Sequence, residues 1–437
     1  MTIYQMTEAI QRGVLSSYEL VSQYISRIET NKHLNAIIEL NPDALAIAKN
    51  LDTDADKKGA LFGVPILVKD NINTGDCMHT SAGSVALADN IAPADAPIVR
   101  LLREAGAVIL GKTNMTEFAN YMTDSMPNGY SSRGGQTFNL FSHEADPSGS
   151  STGSAVAVAA DLCAAAIGTE TCGSIISPAQ CAGIVGIKPT IGLVSSQGVF
   201  PISFTLDTPG PMARCVEDVG LLLGVLSDRQ YEKYNGIKLV GIRIGICRMF
   251  TEDVDPEWLN ANEQLISVMN ELGADCVDLP EHDIRAGFIG VIMRNEFKSG
   301  VDNYLRSMCN PAVPQSLQEI IEYNERHADT ALKYGQEILV RANKSGGMTK
   351  PEYLEALAMR ESAIRAFDVL FDENNIDVFF MPAANSGLAA ATGFPSMTIP
   401  IGHMGNGLPI GSFFVARRYG EDILLRVTSA VESALNS

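Results

Sequence analysis

Gly149-Ser-Ser-Thr-Gly-Ser-Ala-Val-Ala-Val-Ala-Ala160 opens the stretch of sequence that decides the fold of this chain. Between residues 147 and 187 the only charged side chains are Asp161 and Glu170, and Gly, Ser, Ala and Thr dominate. Small residues let backbone segments approach closely and adopt φ/ψ regions that other residues avoid. The composition fits two interpretations equally well: a tightly packed helix–strand core, or a site built from backbone amides and hydroxyls.

Amphipathic helices and apolar strands alternate upstream of this stretch. Ser16-Ser-Tyr-Glu19 is a capping box that predicts the start of a helix, and further helices are predicted at residues 42–51 and 96–104. Residues 64–69 and 107–110 are typical of buried strands. The alternation favours an α/β architecture around one large sheet. Because no repeat or Pro- or Ser-rich linker divides the chain, residues 1–437 are predicted to form a single domain.

The later part of the chain has a different pattern. Residues 256–375 are mostly of helical spacing, and we interpret them as a lid or the wall of a substrate pocket. Strand character returns in Val378-Phe-Phe-Met381 and in Ser412-Phe-Phe-Val-Ala416. Residues 421–435 are predicted to form a final helix.

The charge balance argues against two classes of partner. The formal net charge is −19, and the sequence contains no run of basic residues. Nucleic acids and anionic membranes both bind clustered Lys and Arg. We therefore expect neither a nucleic acid nor a membrane as partner.

The cysteines and the N-terminal residues indicate where the protein works. None of the eight Cys residues forms a Cys-x-x-Cys pair, so we expect no structural zinc site and free thiols in a reducing compartment. Met1-Thr-Ile-Tyr-Gln-Met6 lacks the basic and apolar regions of a signal peptide. The longest run of small apolar residues, 155–167, is interrupted by Asp161 and is too short to span a bilayer. The sequence therefore predicts a cytoplasmic protein.

Two short motif matches are weak in their context. Gly106-Ala-Val-Ile-Leu-Gly-Lys-Thr113 fits the phosphate-binding P-loop pattern, but its middle residues are themselves strand-like and could not curl around a phosphate. Gly149-Ser-Ser-Thr-Gly153 fits the nucleophile elbow of α/β-hydrolases, with Ser151 as nucleophile. That elbow needs an apolar strand before it, whereas residues 143–148 are polar and turn-prone. An esterase that uses Ser151 stays a rival hypothesis.

A longer set of ordered motifs resembles the amidase signature family. The first glycine-rich motif is the stretch quoted above, and the matches cover essentially the whole chain. The other motifs are Gly63-Val-Pro-Ile-Leu-Val-Lys-Asp-Asn71, Gly111-Lys-Thr-Asn-Met-Thr-Glu-Phe118, Ile167-Gly-Thr-Glu-Thr-Cys-Gly-Ser-Ile175, Gly183-Ile-Val-Gly-Ile-Lys-Pro-Thr190, Leu206-Asp-Thr-Pro-Gly-Pro-Met212, Gly393-Phe-Pro-Ser-Met-Thr-Ile-Pro400 and Gly407-Leu-Pro-Ile-Gly411.

The resemblance implies a fold and a catalytic apparatus. The fold would be a mixed, twisted sheet covered by helices on both faces, with residues 60–215 as catalytic core. Ser174 would be the nucleophile, Ser150 a bridging serine after a cis peptide bond, and Lys69 the base. The backbone N–H groups of Thr171, Cys172, Gly173 and Ser174 would form the oxyanion hole. No metal or organic cofactor is implied.

The proposed chemistry demands an unusual lysine. A serine hydroxyl is a weak nucleophile until a base removes its proton, and an ammonium cannot accept one. The pKa of Lys69 must therefore fall well below its usual value of about 10.4, which burial in a low-dielectric site achieves. Asp70 follows Lys69, but on a strand its side chain points to the opposite face, so it need not hold Lys69 charged.

Departures from the family pattern and finer motif likenesses concern the substrate. Cys172 and Ile176 stand where the family usually has Gly and Arg, which adds bulk near the oxyanion site and removes a charged substrate contact. Residues 132–137, 168–171 and 201–204 resemble the peptide amidase branch, as does Asn295-Glu-Phe-Lys298.

We expect a small-molecule or peptide carboxamide as substrate and a monomer or homodimer. Besides the esterase, two rivals remain: the A subunit of a tRNA-dependent amidotransferase, and a binding protein on an amidase scaffold.

Overall fold

The computed structural model describes residues 1–54, 56, 58–234 and 236–436. Its strands are β1 (Ile37–Leu40), β2 (Pro65–Lys69), β3 (Val108–Thr113), β4 (Tyr130–Ser131), β5 (Gly135–Gln136), β6 (Ala165–Glu170), β7 (Val185–Lys188), β8 (Thr208–Ala213), β9 (Arg243–Ile246), β10 (Asp275–Asp278), β11 (Val378–Phe380), β12 (Ser396–Thr398), β13 (Pro400–His403), β14 (Pro409–Gly411) and β15 (Phe414–Ala416). An eleven-stranded sheet of order β1-β3-β2-β6-β8-β7-β12-β15-β11-β9-β10 forms the centre.

The helices follow the predicted alternation. They are α1 (Ile3–Gln11), α2 (Ser17–Thr30), α3 (Ala44–Asp52), α4 (Pro97–Glu104), α5 (Thr152–Ala159), α6 (Ile176–Cys181), α7 (Val216–Ser227), α8 (Pro256–Glu271), α9 (Ile289–Met308), α10 (Leu317–Arg326), α11 (Ala328–Ala331), α12 (Glu337–Asn343), α13 (Pro351–Glu373), α14 (Gly387–Thr392) and α15 (Glu421–Leu435). The capping box before α2 is made as predicted, with Ser16 as N-cap. Strand β3 runs three residues beyond its predicted end, because its polar end is buried as well.

The sheet is mixed. Strands β3, β2 and β6 are parallel neighbours, whereas β8 is antiparallel to both β6 and β7. In this arrangement Val68 of β2 pairs with Ile167 of β6. The carboxyl ends of the two strands therefore lie side by side, and the residues that follow them share one edge of the sheet.

Helices cover both faces of the sheet, as the resemblance implies. Alternate side chains of β11 point to different cores, since Val378 and Phe380 pack in the large core with α2, α7 and α15. Phe379 packs on the other face with Phe367 of α13 and Phe394, in a cluster rich in aromatic rings. The predicted α/β fold, a mixed sheet between two helical layers, is confirmed.

The glycine-rich stretch is tightly packed. Helix α5 is almost entirely buried against the sheet. A Cβ atom on Gly153 would lie 2.3 Å from Asn114 O and 2.4 Å from Ala36 O, so no larger residue fits there. Close packing brings the start of α5 against the carboxyl ends of β2 and β6, so the first interpretation of the composition is correct for α5.

The helices of the segment 256–375 lie in different parts of the molecule, and α13 belongs to the aromatic cluster described above. Helix α8 packs against β10 and β13, at the far end of the sheet. Helices α9, α10 and α12 form a cluster with Phe118 and Phe200, in which the ring centroids of Phe200 and Tyr304 lie 5.1 Å apart. Helices α9, α10 and α12 therefore cover loops that lie near the end of β2.

Candidate active site

Lys69 is the last residue of β2, and its side chain is fully buried, with 0% exposed. Its Nζ lies 2.8 Å from Ser150 Oγ and 3.0 Å from Ser151 Oγ. The same nitrogen lies 2.9 Å from Thr169 Oγ1 and 3.2 Å from Thr169 O. Parallel pairing of β2 with β6 brings Thr169 to Lys69, and packing of α5 on both strands brings the two serines.

The surroundings of Lys69 favour its neutral form. Burial lowers the pKa of Lys69 from 10.5 to about 7, although the carboxyl groups of Asp207 and Glu170 act in the opposite direction. Asp70 faces away, as strand geometry predicts, and its Oδ2 accepts a hydrogen bond from Gly83 N at 2.9 Å. A large fraction of Lys69 is therefore a neutral amine near neutral pH.

The hydrogen bonds around Lys69 specify where its lone pair points. Ser151 Oγ donates to Thr169 O at 3.0 Å, so it can only accept from Nζ. A neutral amine has two N–H groups and one lone pair, and Ser151 and Thr169 take the two N–H groups. The lone pair is left for the hydroxyl proton of Ser150, which is the arrangement that a base acting through a serine requires.

Ser150 follows a cis peptide bond, as the resemblance implies: the Gly149–Ser150 bond is cis. A Cβ atom on Gly149 would lie 2.5 Å from Thr116 Oγ1, and Thr116 N donates to Ser150 O at 3.1 Å. The close contact with Thr116 explains why a glycine precedes Ser150. The side chain of Ser150 is fully buried.

Ser174 lies on the neighbouring turn and is the more accessible serine, with 8% exposed. Its carbonyl oxygen accepts a hydrogen bond from Ser151 N at 3.1 Å, which ties this turn to the start of α5. Within the described part of the chain, Ser174 Oγ makes no hydrogen bond, so the bridge from Ser150 Oγ to Ser174 Oγ that the resemblance implies is not formed as a hydrogen bond. The structure thus joins Lys69 to Ser150 directly and places Ser174 beside them through its backbone.

The turn between β6 and α6 presents unused backbone donors. Among the described residues, none accepts a hydrogen bond from the amides of Thr171, Cys172, Gly173 or Ser174. Gly173 has φ +82°, a left-handed conformation that suits glycine. Successive free N–H groups on such a turn can bind an anion, so this segment can serve a developing oxyanion.

Glu170 shapes this turn, and the sequence reasoning missed it. Its side chain is 1% exposed, and Oε2 accepts hydrogen bonds from Ile175 N at 2.7 Å and Ile176 N at 3.1 Å. The carboxylate thus holds the first amides of α6. The signal available in the sequence was an acidic residue in a stretch nearly devoid of charge.

Asp207 was also missed, although its motif was noted. Its Oδ1 accepts from Thr171 Oγ1 at 2.5 Å, and its Oδ2 accepts from Ile202 N at 2.8 Å and Ser203 N at 3.0 Å. Burial raises the pKa of Asp207 to about 6. A small cavity beside Lys69 is lined by Asp207 and Thr171 together with Asn71, Thr169, Val199 and Phe200.

The two departures from the family pattern have different settings. The side chain of Cys172 is exposed, so its bulk lies at the open side of the turn. Ile176 is fully buried in the aromatic cluster with Phe394 and Phe413. Position 176 therefore contributes packing in this chain and no charged contact.

The structure does not support the two short motif matches as sites. Ser151 is fully buried, and in the described part of the chain its Oγ makes hydrogen bonds only with Lys69 and Thr169 and no strand directly precedes it. The last six residues of the P-loop match form β3 (Val108–Thr113), and Lys112 Nζ donates to Ile72 O at 2.5 Å and Thr80 Oγ1 at 2.9 Å. Neither motif presents its polar group to a ligand.

Metal-ligand clusters and membrane-spanning helices are both absent from the described residues. No group of three or more His, Cys, Asp or Glu side chains in that part of the chain could hold a metal ion. No helix among the same residues is long and apolar enough to cross a membrane.

Comparisons with known proteins agree on one family. The profile of the Amidase family matches residues 19–388. The chain is 35% identical to a probable amidase of Arabidopsis thaliana, over 99% of this chain and 90% of the relative. It is 32% identical to the A subunit of a glutamyl-tRNA(Gln) amidotransferase of Syntrophus aciditrophicus, over 99% of this chain and 96% of the relative. The solved peptide amidase of Stenotrophomonas maltophilia superposes with a TM-score of 0.91 at 36% identity, covering 100% of this chain and 97% of that one.

Proposed function

This chain belongs to the amidase signature family and is an amide-hydrolysing enzyme, and from that premise we propose that it converts a carboxamide R–CONH₂ to a carboxylate and ammonia through an acyl-enzyme on Ser174. The observation that carries the proposal is the buried Lys69, whose pKa is lowered to about 7 and whose Nζ lies 2.8 Å from Ser150 Oγ. A base of that pKa can work at neutral pH.

Acylation begins when Ser174 Oγ attacks the amide carbon. Its proton passes to Ser150, and the proton of Ser150 passes to the lone pair of Lys69. The former carbonyl oxygen carries the negative charge and rests on the amides of residues 171–174, where each donor is worth about 10²–10³ in rate. The C–N bond then breaks, and the nitrogen leaves as ammonia after taking a proton back from Lys69 through Ser150.

Deacylation follows the same proton path. Water gives a proton to Lys69 through Ser150 and attacks the acyl carbon. The carboxylic acid leaves when Ser174 recovers that proton, and the acid then loses its own proton to solvent as the carboxylate. Before acylation, Ser174 must turn its Oγ towards Ser150, because the two hydroxyls are not hydrogen-bonded in the free enzyme. Catalytic hydrogen bonds often tighten only when substrate is bound.

A peptide-like R group is our preferred substrate class. The support is the 36% identity over the whole chain to a peptide amidase, and the motif likeness of residues 132–137 and 201–204. Helices α9, α10 and α12 pack over the loop of residues 118–126 near the cavity. We assign the recognition of R to residues on these helices and this loop.

An amidotransferase A subunit is the second candidate, since such a subunit is 32% identical over nearly its full length. That subunit would need a partner chain for its biological activity. A purified chain that releases ammonia from peptide amides without a partner would favour the first candidate.

Ammonia release from a panel of carboxamides, including short peptide amides, tests the proposal without added metal or cofactor. We expect release by the wild type, none by Ser174→Ala, and a loss of at least about 10²-fold in Lys69→Ala. Ser151→Ala should retain more activity than Lys69→Ala, because it removes only one partner of Nζ. Activity that survives in Ser174→Ala but vanishes in Ser151→Ala would establish the esterase-like alternative, and no release by the wild type would favour the amidotransferase subunit or the binding scaffold.

A further inference from the structure

Asn71 has an unused hydrogen-bond acceptor beside the catalytic base. It lies two residues beyond Lys69 and is 2% exposed. Its Nδ2 donates to Thr169 Oγ1 at 3.0 Å, and the same oxygen lies 2.9 Å from Lys69 Nζ. Its Oδ1 is buried and has no partner. A buried acceptor without a partner is unfavourable, so this oxygen calls for an explanation.

The unused oxygen belongs to a side chain that lines the small cavity described above. Thr169, the partner of Lys69, and Thr171, the first residue of the oxyanion turn, lie in the same wall. Asp207 is there too, but its Oδ1 and Oδ2 already accept hydrogen bonds. Asn71 Oδ1 is thus an acceptor in a wall that reaches from the base to the oxyanion turn.

We propose that Asn71 Oδ1 binds the nitrogen of the substrate carboxamide by accepting one of its N–H groups. The inference rests on the proposed function. When the substrate oxygen occupies the amides of residues 171–174, its –NH₂ group must lie towards Ser150 and Lys69, which donate the proton to the leaving group. One N–H of that group then needs an acceptor, and Asn71 Oδ1 is a buried one without a partner in the described structure.

The same contact discriminates between leaving groups. An alkyl ester of the same acid places an oxygen without any hydrogen where the amide has –NH₂. That oxygen has only lone pairs to face Asn71 Oδ1, so the acceptor stays unpaired and the ester is disfavoured. A site that hydrogen-bonds a substrate N–H rejects the analogue that lacks it for this reason. Asn71 is therefore a specificity-determining residue for carboxamides over esters.

The test compares one peptide acid as its carboxamide and as its methyl ester, with kcat/KM measured for both. Asn71→Ala should lower the amide-to-ester ratio about 10- to 100-fold, chiefly through the amide. Asn71→Leu keeps the shape of the side chain and serves as second variant if Asn71→Ala does not fold. Asn73→Ala is the matched control, because Asn73 is equally buried but its Oδ1 accepts from Tyr304 OH at 2.6 Å. We expect its ratio to stay within about twofold of wild type, as for a residue that makes no substrate contact.

The outcomes separate this inference from the proposed function. Equal losses for amide and ester in both Asn71 variants would show a merely structural role and overturn the inference alone. A ratio that changes as much in Asn73→Ala would also overturn it. A wild type that hydrolyses neither substrate overturns the proposed function and this inference with it.

Discussion

An amine that is protonated in water becomes a base at position 69 because the fold removes water from it. No single neighbour is responsible, since both nearby carboxyl groups act in the opposite direction. Burial is the dominant cause, and Ser151 and Thr169 replace the lost water as acceptors without adding charge. The chemistry of Lys69 is therefore a property of its surroundings, whereas the position itself is readable as the end of an apolar strand.

The pKa of Lys69 predicts the pH dependence of catalysis. Lys69 acts as base only when neutral, so kcat/KM should rise with pH through a pKa of about 7. The rise should approach tenfold per pH unit on the acid side. The measurement is kcat/KM for an uncharged peptide amide between about pH 5.5 and pH 9, with folding checked by circular dichroism. A profile that is flat over this range would contradict the assignment of Lys69 as base.

At the scale of elements, short turns carry the reactive groups and longer elements hold them. The turn that ends at Ser174 is fixed from one side by Glu170 and from the other by the carbonyl contact with Ser151. The loop of residues 201–207 is fixed from α9, because Glu296 accepts from Ser203 Oγ at 2.5 Å and from Thr205 N at 3.1 Å. Helix α9 is thereby connected to the oxyanion turn.

Gly173 should tolerate no side chain. With φ +82°, a Cβ atom would be strained by about 1–2 kcal/mol, and it would lie 3.0 Å from both Ser177 Oγ and Ser386 Oγ. We expect Gly173→Ala to lower kcat by at least about tenfold, because the oxyanion amides shift. Gly192→Ala is the control, since Gly192 has φ +87° with nothing within 4 Å. Equal kcat in the two variants, measured by ammonia release, would argue against an oxyanion role for this turn.

We predict that Glu296 of α9 affects catalysis through the loop of residues 201–207. In Glu296→Gln an N–H₂ group would replace one of the two oxygens, each of which accepts two hydrogen bonds from Ser203, Thr205 or Tyr353. We expect this to cost about 1–3 kcal/mol of unfolding free energy. We also expect a lower kcat, because the loop ends at Asp207, which holds Thr171. Tyr353→Phe removes one donor at 2.7 Å from Glu296 and is the milder control. Denaturant unfolding and kcat together test this, and a stability loss with unchanged kcat would refute the coupling.

At the scale of the whole molecule, the chain carries a formal net charge of −19, which makes its overall field negative. A field of this sign favours the approach of cations and opposes that of anions. A peptide amide with two lysines should show a higher kcat/KM than its counterpart with two glutamates, by several-fold at low salt. The ratio should shrink as NaCl is raised from about 10 mM to about 300 mM, because salt screens the field. If the ratio of the two kcat/KM values does not change with salt, the preference for the lysine peptide arises from local contacts and not from the net charge.

Much of the architecture was predictable from local pattern. The capping box before α2, the strand that ends at Lys69 and the final helix Glu421–Leu435 all follow from periodicity and end signals. These signals succeed because each depends on residues close together in the chain. The P-loop match was also correctly interpreted as no phosphate site, because its apolar residues are those of a buried strand.

The sequence by itself determined the α/β fold, the family and the segments that meet at the end of β2, because motif order and side-chain spacing are properties of the chain. Only the tertiary structure decided the protonation and partners of those residues. The hydrogen-bonded residues Lys69 and Thr169 are 100 positions apart in the sequence, and Glu296 and Ser203 are 93 positions apart. The unused oxygen of Asn71 and the buried carboxylates of Glu170 and Asp207 likewise depend on which residues exclude water. Burial and long-range hydrogen bonds arise from packing, and no local pattern encodes them.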